Sequence, residues 1–240
     1  QAGLHASAIL KDPTTYEHIP PETVGNTRIV PMSNQAGQSN LRKRLGDMGL
    51  NLPKGDPAMG RILDRIKELE GIGYSFDTAQ ASFELLARAE IGLLPQFFSV
   101  ERYRATVERR LDSRGKMSHL SEATVVVNIG GERLLSVSEG IIADGTDGGP
   151  VNALSKALVK DLGPYQTLIE DMELVDYKVR ITQGGTEART RVIIDHEDST
   201  GRRWSTVGVS SNIIDASFEA LLDAINWKLV RDGAQALGAE

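Results

Sequence analysis

The sequence contains no cysteine, which removes disulfides, thiol nucleophiles and thiolate metal sites in one step. No apolar run approaches the ~20 residues that a membrane helix requires. The opening Gln1-Ala2-Gly3-Leu4-His5 has neither the charged n-region nor the apolar h-region of a signal peptide, so the expected compartment is the cytoplasm. Positive charge is in the minority: 27 Lys and Arg stand against 33 Asp and Glu, a net charge of −6. A binder of phosphate backbones needs a basic face, so neither a nucleic-acid nor a membrane partner is expected. The four histidines, His5, His18, His119 and His196, show no H-x-H or H-E-x-x-H spacing, and no metal site is expected within the chain. His196 falls at a hairpin end and reads as solvated; His18 sits in a proline loop and stays open. A G-x-x-x-x-G-K phosphate loop, a G-x-G-x-x-G turn and a G-x-S-x-G elbow are all missing.

What is present is enough apolar material, 40% of 240 residues, to build a sizeable core. The first residue is not Met, and the chain is expected to be a piece of a longer protein. It divides into three stretches. Residues 1–55 are turn-rich, with two helical turns over 5–11 stopped by Asp12-Pro13 and a short helix over 39–48 capped by Ser39. Residues 56–95 read as a helical hairpin. Asp56 caps and Pro57 opens its first helix, with Ile62, Ile66 and Leu69 on one face; the second is expected from Asp77 to Ile91. From residue 96 the period changes from 3.6 to 2. Strands are expected over 100–107, 124–129 and 134–137, then a helix opened by Pro150. The order then repeats: strands over 174–182, 188–196 and 203–209, then a helix capped by Asn212. Tyr103-Arg104 lines up with Tyr177-Lys178, and Ala157-Leu158 with Ala220-Leu221. The expected fold is α+β: helical segments followed by two βββα repeats, about 96–163 and 172–232, with pseudo-twofold symmetry. Gly145 to Pro150 is Gly-rich and precedes a helix. Its free N–H groups could receive an anion, or the stretch is a flexible connection.

Several separate motifs then converge. Gly3-Leu4-His5-Ala6-Ser7-Ala8-Ile9-Leu10-Lys11-Asp12-Pro13, Tyr16-Glu17-His18-Ile19, Val24-Gly25-Asn26 and Ser33-Asn34-Gln35-Ala36-Gly37-Gln38-Ser39-Asn40-Leu41 resemble the 2-isopropylmalate, citramalate and homocitrate synthase family. So do Leu174 to Ile181 and Trp204 to Phe218, and within the family the likeness runs toward the long citramalate synthases. The sequence departs from the pattern in Gln1-Ala2, where Lys-Gly is usual.

The resemblance implies a region that follows a catalytic TIM barrel. Residues 1–55 would be linker subdomain I, residues 56–95 helical subdomain II, and residues 96–240 a regulatory and dimerisation domain. The implied enzyme is an acyltransferase condensing acetyl-CoA with a 2-oxo acid, pyruvate for citramalate, on the way to isoleucine. Its divalent metal is expected in the barrel, outside this chain, and the fragment alone is expected to be inactive. By the same resemblance His5 takes part in acid/base chemistry on acetyl-CoA in a neighbouring subunit, which suits an imidazole. Tyr16 positions substrate or water. A homodimer is implied, with a branched-chain amino acid bound as feedback inhibitor at Gly149, Pro150, Val151, Leu174, Tyr177 and Ile181. Leu174 and Ile181 are an odd number of positions apart, so a regular strand would send them to opposite faces. Two alternatives stand beside this reading: the same region of a 2-isopropylmalate synthase, and a free-standing amino-acid-binding dimerisation module.

Overall fold

The computed structural model describes residue 23 and residues 38–111, 115, 117–142, 149–160, 162–182 and 188–237. The expectations for His5, Tyr16, His18, the helix over 5–11 and most of the Gly-rich stretch before Gly149 lie outside these residues.

Three helices come first: α1 (Gln38–Asp47), α2 (Pro57–Gly71) and α3 (Gln80–Glu90). The Asp56 carboxylate accepts from Ala58 N at 2.8 Å and Pro57 occupies the first turn, as the sequence dictates. Two expected starts differ. The first helix already includes Gln38, so Ser39 lies inside it and is not its cap. The third begins at Gln80 after Ala79, with no side-chain cap, because residues 76–78 form a turn. Leu41, Leu45, Met59, Ile62, Ile66, Phe76 and Phe83 form one buried cluster. Arg61, Asp64, Arg65, Lys67 and Glu68 face solvent, as an amphipathic helix requires.

Two antiparallel sheets follow. Sheet A orders β1 (Ser99–Leu111), β2 (Met117–Ile129) and β3 (Glu132–Ile142); sheet B orders β4 (Glu173–Ile181), β5 (Thr190–Glu197) and β6 (Arg203–Ser210). Each sheet is followed by a helix: α4 (Pro150–Lys160) after sheet A, and α6 (Ile213–Arg231) after sheet B. A short α5 (Gln166–Ile169) lies between the halves. The strands of sheet A run well past the expected limits, because pairing continues through charged residues that carry no apolar alternation.

Helix α4 packs on β2 and β3, α6 on β5 and β6, and the two helices touch. One apolar core joins both inner faces and both helices: Ala123, Val125 and Val127 from β2, Leu154 and Leu158 from α4, Val192 and Ile194 from β5, and Phe218, Leu221 and Ile225 from α6. Val207 and Val209, on the other face of sheet B, belong to the cluster of the helical hairpin. The β6 side of sheet B is therefore covered on both faces.

Gly208 permits this closeness: a Cβ there would lie 3.0 Å from Ala220 N and the Ala216 carbonyl carbon, and deeper still into the carbonyl oxygen of Ala216. His196 corrects the expectation of a solvated residue. It is 3% exposed, stacked on Trp204 with centroids 5.7 Å apart, and burial pushes it down to about 4. Its side chain points to the inner face, where Ser155, Leu158 and Val159 of α4 close over it.

Candidate functional site

The open edge of sheet B gathers three of the expected effector residues. Pairing of β4 with β5 slips between Leu174, opposite His196, and Asp176, opposite Asp195. The extra residue, Val175, resets the alternation of faces. Leu174, Tyr177, Val179 and Ile181 then stand opposite His196, Ile194, Val192 and Thr190, all on the inner face. The bulge resolves the parity problem of Leu174 and Ile181. A matching slip occurs in β1 between Val100 and Arg102, three positions before Tyr103, as the β4 slip precedes Tyr177.

Among the described residues nothing covers the outer part of this row. Because α6 packs mainly on β5 and β6, Leu174, Val179 and Ile181 stay 38%, 40% and 74% exposed. Only Tyr177 is half-buried, its hydroxyl 2.7 Å from Ser217 Oγ, which in turn donates to the Ile213 carbonyl at 2.6 Å. From sheet A, Tyr103 stacks on Phe218 with centroids 3.9 Å apart and donates its hydroxyl to Asp215. Burial and Asp215 raise the Tyr103 hydroxyl above its ordinary value, so it stays a donor. The first turns of α6 thus present two tyrosines, a serine and an exposed Ile213 beside an aliphatic strand edge. Such a surface suits an apolar side chain with polar groups at one end.

Gly149, Pro150 and Val151 lie elsewhere, at the start of α4 on sheet A. Pro150 brings no N–H, and the Gly149 carbonyl accepts from Ala153 N at 3.0 Å. Val151 and Tyr177 share the same core as half-buried neighbours. Tyr103, Val179, Asp215 and Ser217 were not singled out as site residues. The repeated Tyr-basic pair pointed to Tyr103; nothing local pointed to the α6 residues.

A second polar junction ties the helical hairpin to α6. Ser82 Oγ donates to Asp223 at 2.6 Å and accepts from Val207 N at 3.0 Å, while Tyr74 donates to Glu219, which accepts from Val209 N at 3.0 Å. Side chains here satisfy backbone N–H groups of edge strand β6. Burial first, and Glu219 next, push the Asp223 carboxyl up to about 7.

A model of the LeuA allosteric (dimerisation) domain matches residues 67–229. The chain belongs to the LeuA allosteric domain family. Both sheets, α4 and all but the last two residues of α6 lie within the matched segment. A second model, of the homocitrate synthase post-HMGL domain-like region, matches residues 1–73. The family resemblance read from the sequence motifs is borne out. The chain is 42% identical to the (R)-citramalate synthase of Aquifex aeolicus over 234 residues, covering 97% of this chain and 42% of that protein. It is 44% identical to the (R)-citramalate synthase of Streptomyces coelicolor over 236 residues, with the same shares covered. A 2-isopropylmalate synthase of Dictyoglomus turgidum is 26% identical over 235 residues, 97% of this chain and 42% of that protein. The LeuA-type chain therefore spans about two fifths of the length of these relatives.

Proposed function

We propose that this chain is the linker and allosteric regulatory region of a citramalate synthase. The intact enzyme would be an acyltransferase condensing acetyl-CoA with pyruvate in the cytoplasm, inhibited by a branched-chain amino acid, isoleucine first among them. One observation carries the reading: identity of 42% and 44% to two citramalate synthases along nearly the whole chain, against 26% to a 2-isopropylmalate synthase. The division into linker subdomain I, helical subdomain II and regulatory domain belongs to this proposal, as do the roles of His5 and Tyr16. Among the described residues no helix is long and apolar enough to cross a membrane. Nor does any group of three or more His, Cys, Asp or Glu among them suit a metal ion. The divalent metal is assigned to the barrel of the intact enzyme.

In the same reading the two βββα units are related by a pseudo-twofold axis and the chain is a homodimer. The exposed Leu174, Val179 and Ile181, on an edge strand with unpaired backbone groups, supply an interface that a second copy covers. The effector lies at that surface, its aliphatic part against β4 and its charged end among the polar groups at the helix starts.

Isothermal titration against isoleucine, leucine and valine, with sedimentation analysis of the chain, tests this. Saturable binding of isoleucine by a dimer is expected, and Ile181→Asp is expected to abolish both. A dimer that binds none of the three at millimolar concentration ends the regulatory reading and leaves dimerisation. In the intact enzyme His5→Ala is expected to cut turnover by ~100-fold, the scale of a lost general acid or base; near-normal turnover would remove His5 from the chemistry.

A further inference from the structure

A cleft of about 1270 Å³ opens between the helical hairpin and the outer face of sheet B, and its charges do not balance. Lys178 is held by Asp176 and Asp195, Arg231 by Glu84, and Arg203 turns to Glu197. Arg44, Arg180 and Arg191 also line the cleft, and among the described residues none of the three has a carboxylate at ion-pair distance. Asp77 and Glu70 offset Arg44 and Arg191 only from farther away.

Arg180 and Arg191 are direct cross-strand partners of β4 and β5. Like charges so placed oppose the pairing of their strands. Burial, and then the charge of Arg180, hold the Arg191 guanidinium below its ordinary value. Arg191 donates to the carbonyls of Gly73 and Tyr74, and Arg44 donates to the carbonyl of Phe76 at 2.7 Å. These acceptors are neighbours on one loop, so guanidiniums from α1 and β5 grip it on either side of Ser75. Arg44 Nη1 is buried with no partner. Helix α3 starts beside them without a side-chain cap, and its Gln80 and Ala81 line the same cleft. In a chain of net charge −6, a repelling cationic pair on the cleft wall, with no carboxylate of the described residues at ion-pair distance, favours an anion beside it.

We propose that this cleft binds a doubly charged phosphate group, held by Arg180 and Arg191 from the sheet and by Arg44 from the helical side. The same cleft is lined by donors from a sheet face, a helix face and a helix start. A tetrahedral dianion can accept from several such directions, whereas a carboxylate presents two oxygens in one plane. The site is separate from the β4 inner row and does not depend on the regulatory reading.

Titration of the chain with inorganic phosphate and with glycerol 3-phosphate, by calorimetry and thermal melting in otherwise phosphate-free buffer, tests the proposal. One saturable site per chain is expected, with a raised melting temperature. Arg180→Gln is expected to weaken binding by about tenfold or more. It is also expected to melt no lower than the parent without phosphate, because the repelling pair is gone. Arg44→Gln provides a second variant with the same expected loss of affinity. Tighter binding of the ester assigns the site to an esterified ligand; tighter binding of inorganic phosphate assigns it to the free anion. Absence of saturable binding up to about 10 mM, or an affinity unchanged in both variants, overturns it.

Discussion

Strand β6 of sheet B is covered on both faces, whereas helix α4 covers sheet A on one. On β6 the inner Thr206 and the outer Val207 are both fully buried, and the inner Trp204 and outer Val209 nearly so. On sheet A the inner Ala123, Val125 and Val127 are buried; on the outer face Val126 of the central strand is buried too, while Leu135 and Val137 of β3 remain 56% and 43% exposed. Both sheets have three antiparallel strands and one following helix, so the difference comes from outside these two units: α3 and its loops press on β6 and α6. Sheet B and the helix on it carry buried polar groups such as His196, Thr206 and Ser217. A substitution there meets a partner on either side, whereas the same change on the outer face of sheet A meets water.

The largest effect expected from this contrast is at Gly208. Valine there would drive its Cβ into the α6 backbone at Ala216 and Ala220, and backbone, unlike a side-chain tip, does not step aside. Gly208→Val is expected to yield no cooperatively folding chain, beyond the ~1–3 kcal/mol of ordinary overpacking. Circular dichroism melting checks it; a normal transition would mean that α6 does not sit on β6 as closely as described.

Next comes the ionic clamp where the β5–β6 turn meets the end of α6. Asp198 accepts from Thr200 Oγ1 at 2.6 Å, Arg202 Nε at 2.9 Å and Lys228 Nζ at 3.3 Å, while Lys228 also pairs with Asp171 and Asp232. Asp198→Ala leaves Lys228 buried with less compensation and is expected to cost ~3 kcal/mol or more in urea unfolding. These hydrogen bonds outweigh burial and hold Asp198 well below the usual carboxylate range. The unfolded chain then binds the proton first, at an unfolded value of ~3.9. The stabilisation is complete above that value and is lost as pH falls toward the folded one. A variant whose cost does not shrink in acid would contradict the assignment.

Helices α2, α4 and α6 were legible because each carries its whole signal in its own apolar spacing, and Asp56 and Asn212 act on N–H groups two residues away. The double cover of sheet B was half legible. Val207-Gly208-Val209 is apolar on consecutive positions, the mark of a strand buried on both faces, but the residues that cover it lie over a hundred positions earlier. The β4 bulge was not legible at all, since it exists only in the register with β5; the parity of Leu174 and Ile181 raised the question and only pairing answered it. His196 misled for a related reason. Its neighbours Asp195, Glu197 and Asp198 describe a polar turn, while its burial is made by Trp204 and by α4 from the other half.

A pH-dependent prediction sharpens the comparison further. Asp223, raised to about 7, holds a proton in the folded chain that an unfolded aspartate has released. Its contribution therefore declines as pH rises from ~4 through about 7. Relative to the parent, Asp223→Asn is expected to gain about 2–3 kcal/mol of stability between pH 5 and pH 8. His196, lowered to about 4, acts in the opposite direction: its burial costs stability as pH falls from ~6.5 through about 4. An unchanged difference between Asp223→Asn and parent from pH 5 to pH 8 would place that carboxyl in contact with water.

The smallest expected effect is on the exposed side of sheet A. Leu135→Thr and Val137→Thr exchange exposed apolar side chains for β-branched residues that suit a strand. Neither change opens a cavity, so each is expected to shift urea unfolding of the chain by less than about 0.5 kcal/mol. The corresponding change on sheet B, Val207→Thr, places a hydroxyl among Leu41, Phe76 and Phe83 of the hairpin cluster and is expected to cost ~1–3 kcal/mol. The two positions share residue class and strand type, so the difference isolates what the second cover contributes. Equal costs at Leu135 and Val207 would mean that the outer face of sheet A is covered in solution, and the contrast between the sheets would then belong to the isolated chain alone.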